Sequence, residues 1–319
     1  MRVVVTGGAG FIGSRLRTAC AERGWDVTGV DIRATDGVLA GDVTEPGAWT
    51  RLLDGADVVV HTAALVGERG DAAAFDRVNV DATGVVLAAA AKAGVGRTVH
   101  VSSIVVHGAS FPVPPGGVLE DDRVRPTGNP YTDTKIAAEH LALLAAARGQ
   151  PVVIVRPGDV YGPGSAQWTV RPVEMLQRRQ LMLIGGGHGV LCPVYIADLV
   201  DGLVAAATAE AALGEVFHVT GGVGVTAREF FGRYAAMLGK RGIPSVPRAV
   251  VRATGPAARL ARRWGRDLPV SPRTLEYIEH PGPYSNAKAR DVLGWTPRVD
   301  LDEGMRRCEE WLRAEGIVS

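Results

Sequence analysis

The sequence predicts an α/β protein: a doubly wound parallel sheet with a smaller, mostly helical C-terminal part. Three observations predict it. The chain opens on a β-branched run, Arg2–Thr6, that enters a glycine cluster and then an apolar pattern at helical spacing. Strand-like runs and helical patterns alternate from there to about residue 165, the rhythm of parallel strands with helices on both faces. Beyond Ser165 that rhythm breaks. With 319 residues the chain has room for a sizeable core. The expected division is 1–165, with 190–220 returning to it, and 166–319 as a second unit.

The elements follow in order. Phe11, Ile12 and Leu16 lie on one face of a first helix, which ends at Glu22-Arg-Gly24 with Gly24 as its left-handed cap. Val27–Val30 is a second strand ending at Asp31. In Gly41-Asp-Val-Thr-Glu-Pro46, Thr44 is suited to cap a helix and Pro46 to enter its first turn. Asp57–His61 is a buried strand that closes on the small residues Thr62-Ala63-Ala64, and a helical pattern runs from about Asp71 to Gly94. Arg97–Val101 ends in Ser102-Ser103. The Pro-, Gly- and charge-rich stretch Gly108–Pro130 reads as a loop over a site. A helix from Tyr131 to about Arg148 and a strand Pro151–Arg156 complete the alternation. Later come helices at Val170–Arg179, Ile196–Thr208, Thr226–Leu238 and Leu301–Arg313, with another starting at Ser271-Pro272. Pro247–Arg266 is rich in Ala and Arg; it reads as a solvated amphipathic helix, with a lid or a membrane-surface contact as the sharper alternative.

Composition excludes several classes. A formal net charge of +1 gives no global push toward nucleic acid or anionic membrane. The opening residues enter a core strand directly, so no signal peptide is expected. No uncharged apolar run reaches the length of a membrane span; Val85–Ala91 stops at Lys92. Three widely spaced cysteines, Cys20, Cys192 and Cys308, suit a reducing cytoplasm with thiols as small fillers. Seven histidines show no metal spacing, so no metal site is expected.

Strand, glycine turn and helix is the order that a dinucleotide-binding, Rossmann-like unit requires. Gly7 and Gly10 permit the tight turn and a close approach of backbone to pyrophosphate, and Gly13 lets helix and strand pack closely. The same glycines would serve a surface turn needing positive φ; the strand, the helix and the later acidic residue select the phosphate reading. Asp31 can accept hydrogen bonds from both adenosine ribose hydroxyls and would repel a 2′-phosphate, which favours NAD. Arg33 could meet that phosphate instead, so NADP stays open. Asp42 either faces the adenine edge or is an ordinary turn aspartate, and Asn79 is a groove residue or an exposed helix asparagine.

Ser103, Tyr131 and Lys135 carry the chemistry. Oxidising an alcohol or reducing a carbonyl needs hydride transfer at carbon and proton transfer at oxygen. A tyrosine can move the proton if its phenol pKa falls, and an ammonium one helical turn away and the positive nicotinamide of NAD⁺ both favour the phenolate. A serine hydroxyl can hold the substrate oxygen in register.

Thr6-Gly-Gly-Ala-Gly-Phe-Ile-Gly13, Asp31, Asp42, Val60-His-Thr-Ala-Ala64, Asn79-Val80, Ser102-Ser103, Tyr131-x-x-x-Lys135 and Arg156-Pro157 together resemble the extended short-chain dehydrogenase/reductase family, also called the NAD-dependent epimerase/dehydratase superfamily. The resemblance covers nearly the whole chain. It implies an intact Ser–Tyr–Lys site and a cofactor held by Gly7, Gly10, Phe11, Ile12, Gly13, Asp31, Arg33, Asp42, Val43, Asn79, Val101, Tyr131 and Lys135. It further implies His61 to Ala64, with Thr62 and Ala63, lining the cofactor groove, Pro157 beside the nicotinamide, a small-molecule substrate and a homodimer. Within the family, nucleotide-sugar enzymes usually carry an asparagine at Asp159, Arg-Asp-Phe at Leu191-Cys192-Pro193 and an arginine at His280-Pro-Gly282; these are ligands of a diphosphate. The second half, with Pro193-Val-Tyr-Ile-Ala-Asp198 and Leu293-Gly-Trp295, resembles the 3β-hydroxysteroid dehydrogenase and dihydroflavonol reductase branch. The expectation is an NAD-dependent oxidoreductase acting on a secondary alcohol or its ketone in an apolar pocket. A sugar-nucleotide epimerase or dehydratase is the alternative, and a non-enzymatic NAD(H) sensor the last one.

Overall fold

The computed structural model describes residues 1–67, 71–108, 113–114, 116–251, 280 and 282–318. The Ser271-Pro272 start of a helix and most of Pro247–Arg266 lie outside them. The chain runs β1 (Arg2–Thr6), α1 (Phe11–Glu22), β2 (Asp26–Asp31), β3 (Val38–Ala40), β4 (Val58–His61), α2 (Ala72–Phe75), α3 (Ala82–Ala93), β5 (Arg97–Val101), α4 (Pro130–Ala147), β6 (Val152–Pro157) and β7 (Asp159–Tyr161). It continues through α5 (Arg171–Gln177), β8 (Leu183–Ile184), β9 (Val190–Leu191), β10 (Pro193–Tyr195), α6 (Ile196–Thr208) and β11 (Val216–Val219). The last elements are β12 (Val225–Thr226), α7 (Ala227–Met237), β13 (Ser245–Val246), α8 (Ala287–Leu293) and α9 (Leu301–Ala314).

Seven strands form one sheet in the order β11-β6-β5-β4-β1-β2-β3, and every pairing in it is parallel. Strands such as Val58–His61 are buried along their whole length because helices cover both faces. On one face Leu16 and Cys20 of α1 share a core with Leu199 and Leu203 of α6 and Cys308 and Leu312 of α9. On the other, α3 packs Val86 and Ala90 against Val4 and Val59, and Leu87 against Ala142 of α4. Strand order reverses between β1 and β4, so the crevice for a ligand opens above their C-terminal ends.

Most predicted elements stand where the patterns put them, and the exceptions have physical reasons. Gly24 has φ +72° just after the Arg23 cap of α1. Thr44 caps no helix: its amide and hydroxyl both donate to the Asp42 carboxylate, and a tight 3-10 turn, Ala48–Leu53, begins later after Gly47. The long pattern Asp71–Gly94 is interrupted by a wide turn at Asp76–Asp81 between α2 and α3. The helix expected from Val170 begins as another wide turn at Ala166–Val170. Within 190–220, Val216–Val219 joins the large sheet beside β6, whereas Pro193–Tyr195 pairs with β7 and Val190–Leu191 with β12. Cys20, Cys192 and Cys308 are buried free thiols, pushed up to about 11, 12 and 11 by burial. No helix among the described residues is long and apolar enough to cross a membrane.

One carboxylate of α6 helps tie the C-terminal segment to the rest of the fold. Asp198 in α6 accepts the backbone N–H groups of Arg298 and Val299, each at 3.0 Å, and its carbonyl accepts the Trp295 indole N–H at 2.9 Å. Asp198→Ala leaves two amides without their acceptor. It is expected to lower stability by about 2 kcal/mol in urea unfolding, with an unchanged dependence on urea.

Candidate active site

The cofactor cradle is built from backbone. Gly7 has φ +69°, and Gly10 N–H donates to its carbonyl at 2.9 Å. A Cβ on Gly7 would stand 2.7 Å from Ala63 N, and one on Gly8 2.7 Å from Gly29 Cα; one on Gly13 would run into the Gly7 carbonyl. Gly10 caps α1 without a side chain, so the amides of the first helical turn face the crevice with no protein group over them from that cap. This suits a diphosphate. At the end of β2 the Asp31 carboxylate accepts the amides of Ala9 at 3.2 Å and Arg33 at 3.3 Å, which fixes it beside the cradle with lone pairs left for ribose hydroxyls. The residues present fit a dinucleotide. Phe11 and Ile12 pack partly against the core under the helix start, Val43 is buried, and Arg33 is exposed. Asp42 is exposed and holds the Thr44 turn, the structural role expected of a turn aspartate.

The opposite wall is fixed by a buried polar chain. Thr62 Oγ1 donates to the Thr6 carbonyl at 2.7 Å, and Ala63 lies against Gly7, with half-buried Ala64 following. The His61 ring does not line the groove. It is buried between Thr6 Oγ1 at 2.7 Å and Thr83 Oγ1 at 3.1 Å, and burial lowers its pKa to about 3. Asn79 is not an exposed helix asparagine: it is 2% exposed. Its amide accepts from Leu65 N at 2.8 Å, donates to Leu65 O at 3.1 Å, and donates to Thr134 Oγ1 at 3.0 Å. It therefore clamps the loop after β4 to α4, the helix that carries the reacting side chains.

Those side chains meet at the ends of β5 and α4. Ser103 leaves β5 with extended backbone and caps the turn Ile104–His107, its Oγ accepting from Val105 N at 3.3 Å. Asn129 caps α4 by accepting Tyr131 N–H at 2.9 Å, and Pro130 enters the first turn, so Tyr131 is placed at the helix start. Its half-buried phenol lies close enough to the Ser103 hydroxyl for that group to pull its pKa down. One turn on, Lys135 is 5% exposed and donates from Nζ to the Val101 carbonyl at 2.9 Å. Burial lowers Lys135 to about 8 against an opposing pull from Glu139. In the protein by itself, without the positive nicotinamide, the Tyr131 phenol is raised. Burial raises it to about 12; the Ser103 hydroxyl opposes this, and the nearby Asp159 charge adds to it. Pro157 is buried at the end of β6, beside Val219.

Glu139 escaped the sequence reading, whereas Asp159, Cys192 and His280 were singled out in it. Glu139 is buried and accepts from Ser102 Oγ at 2.6 Å and from the Arg156 guanidinium at 2.6 and 3.0 Å. Its signal was present: a carboxylate four residues after Lys135, on the same face of an alanine-rich helix. On the substrate side, Asp159 is buried with one carboxylate oxygen accepting from Cys192 N at 2.8 Å. Tyr284 N donates to Cys192 Sγ at 3.3 Å, and His280 stacks on the Tyr284 ring with centroids 4.9 Å apart. Ile104, Val118, Cys192 and Tyr284 form one apolar cluster next to Ser103.

A nucleotide cradle at a topological switch point, with an adjacent Ser–Tyr pair and a buried lysine beside it, defines a redox-type dinucleotide enzyme. The chain belongs to the NAD dependent epimerase/dehydratase family, whose model matches residues 3–220. Among curated relatives it is 31% identical to a 2-alkyl-3-oxoalkanoate reductase of Stenotrophomonas maltophilia, over 97% of this chain and 98% of that one. It is 29% identical to a 3 beta-hydroxysteroid dehydrogenase/Delta 5→4-isomerase of Mycobacterium tuberculosis, over 96% of this chain and 89% of the relative. Among solved structures, MoeE5 in complex with UDP-glucose and NAD superposes with a TM-score of 0.79 at 29% identity, over 99% of each chain. Family membership makes the protein an NAD-dependent enzyme.

Burying Lys135 opposes folding while it is charged. Its folded pKa of about 8 lies below the ordinary 10.5, so the unfolded chain holds the proton more tightly. The penalty is complete below pH 8 and fades as pH rises from 8 to 10.5. Lys135→Met is accordingly expected to raise stability at pH 7 by about 3 kcal/mol. The gain should shrink toward zero in unfolding curves taken near pH 10.5.

Proposed function

We propose that the protein interconverts a secondary alcohol and its ketone on a largely apolar substrate, with NAD as hydride acceptor or donor. The observation that carries this reading is the buried group near Tyr131. The charge of Asp159 acts on the Tyr131 phenol, Cys192 N donates to that carboxylate, Tyr284 N donates to Cys192 Sγ, and the His280 ring stacks on Tyr284. A diphosphate placed there would meet a buried carboxylate instead of the cationic or amide donors it needs. The names of the reductase and steroid dehydrogenase relatives agree with an apolar ketone or alcohol.

In the oxidative direction Ser103 holds the alcohol oxygen and Tyr131 takes its proton as the carbon loses hydride. Bound NAD⁺ supplies the hydride acceptor and a positive ring that favours the phenolate. Lys135 adds an ammonium beside the tyrosine and donors for the nicotinamide ribose, and Asp31 receives the adenosine ribose hydroxyls. Gly7, Gly10 and Gly13 admit the diphosphate, with Phe11, Ile12, Val43, Thr62, Ala63, Ala64 and Pro157 as the groove around it. Asn79 and Val101 act one step back, through Leu65 and Lys135. Reduction runs the same steps in reverse.

A second reading, a nucleotide-sugar epimerase or dehydratase, is favoured by the likeness to MoeE5 with UDP-glucose. The two are separated by offering 2-alkyl-3-oxo acids and 3-hydroxysteroids in one arm and UDP- and dTDP-glucose in the other. Net NADH consumption or formation in the first arm is expected. An epimer or keto sugar formed without stoichiometric NADH would overturn the proposal. Tyr131→Phe is expected to reduce kcat by about a thousandfold while NADH fluorescence titration shows retained binding. Near wild-type turnover in that variant would remove Tyr131 from its role.

A further inference from the structure

We propose that Glu139 is the positioning residue of this site: its carboxylate, gripped by Arg156 and Ser102, keeps Lys135 an ammonium and locks α4 to the strand ends bearing Ser103 and Pro157. The inference rests on Tyr131 and Lys135 being the reacting pair. It does not depend on which substrate they serve.

The geometry supports it from three elements. Glu139 lies one helical turn beyond Lys135 on α4, as Lys135 lies one turn beyond Tyr131, so the three share a face. Glu139 Oε1 takes Arg156 Nη2 at 2.6 Å, and Oε2 takes Arg156 Nε at 3.0 Å, a two-point contact with β6. Oε2 also accepts the Ser102 hydroxyl at 2.6 Å, one residue before Ser103 at the end of β5. Glu139 and Arg156 are 2% and 3% exposed. The remaining Arg156 nitrogen is spoken for as well: Nη1 donates to the Glu120 carbonyl at 2.7 Å and meets His107 Nε2 at 3.1 Å. Such a buried pair gives little net stability against an apolar replacement, which makes its arrangement here a matter of placement and field.

The field has a sign. Lys135 faces His61 on β4 and His100 on β5, both lowered by burial and hence neutral, and Glu139 on its own helix. Glu139 faces Arg156 on β6 and His107 in the turn after β5, and Asp159 of β7 lies near Tyr131. Among these groups Glu139 is the one that raises Lys135 against its burial. Removing its charge should release the lysine proton at lower pH, and removing Arg156 should do the reverse.

The chain holds four lysines, Lys92, Lys135, Lys240 and Lys288, so protein labelled with ¹³C at lysine Cε gives a readable NMR titration. Lys135→Arg identifies the signal, and no substrate is needed. The expected result is a Lys135 pKa near 8 in the wild type, about 7 in Glu139→Gln, and about 9 in Arg156→Gln. Glu139→Asp keeps the charge and should stay nearer the wild type than Glu139→Gln does. A merely structural ion pair would not move Lys135 in opposite directions. Should Glu139→Gln fail to fold, Arg156→Gln carries the same test alone. A Lys135 pKa unchanged, or moved in the wrong direction, in the folded variant overturns the proposal. A failure of the alcohol–ketone reading would show instead as absent NADH turnover beside an intact titration response.

Discussion

A lysine ammonium held almost out of water is the constraint around which this protein is arranged. A buried cation is costly unless fixed acceptors surround it. Lys135 finds the Val101 carbonyl at the end of β5 and the field of Glu139 one turn along its own helix. The Val101 contact holds α4 against the end of β5, and the grip of Arg156 on Glu139 holds it against β6. That placement delivers Tyr131 over Ser103, because the helix begins where Asn129 and Pro130 start it. The placement of Tyr131 beside Ser103 and the satisfaction of a buried charge are the same requirement here.

The cofactor crevice is joined to that assembly by hydrogen bonds. Thr6, His61, Thr83, Asn79 and Thr134 make a buried chain from the first strand to the catalytic helix. Asn79 also holds Leu65 at two points, so the loop forming one side of the crevice moves only if α4 does. Cradle, loop and α4 are therefore joined by one buried hydrogen-bond chain, an arrangement that would limit reorganisation in the proposed hydride transfer.

What was legible in the sequence was whatever is encoded locally. Gly7 to Gly13 sit in one turn, Tyr131 and Lys135 in one helical turn, and each shows as a spacing. The buried strands show as β-branched runs. Contacts that join distant segments do not. Asn79 reads as polar on a helix and becomes buried because Leu65 and Thr134 satisfy every group of its amide. Glu139 was missed because its partners are 17 and 37 residues away on other strands. Thr44 read as a cap, but Asp42 two residues earlier competes for its amide and hydroxyl and wins.

On the proposed substrate side, Asp159 accepts from Cys192 N, Tyr284 N donates to Cys192 Sγ, and the Tyr284 ring stacks on His280. The most direct measurement is an isotope transfer. Enzyme and NAD are incubated with 3-hydroxysteroids and 2-alkyl-3-hydroxy acids deuterated at the carbinol carbon, and the released cofactor is weighed by mass spectrometry. The account predicts NADH one mass unit heavy, formed in step with ketone. Unlabelled cofactor with every such alcohol, alongside conversion of a nucleotide sugar without net NADH, would contradict it.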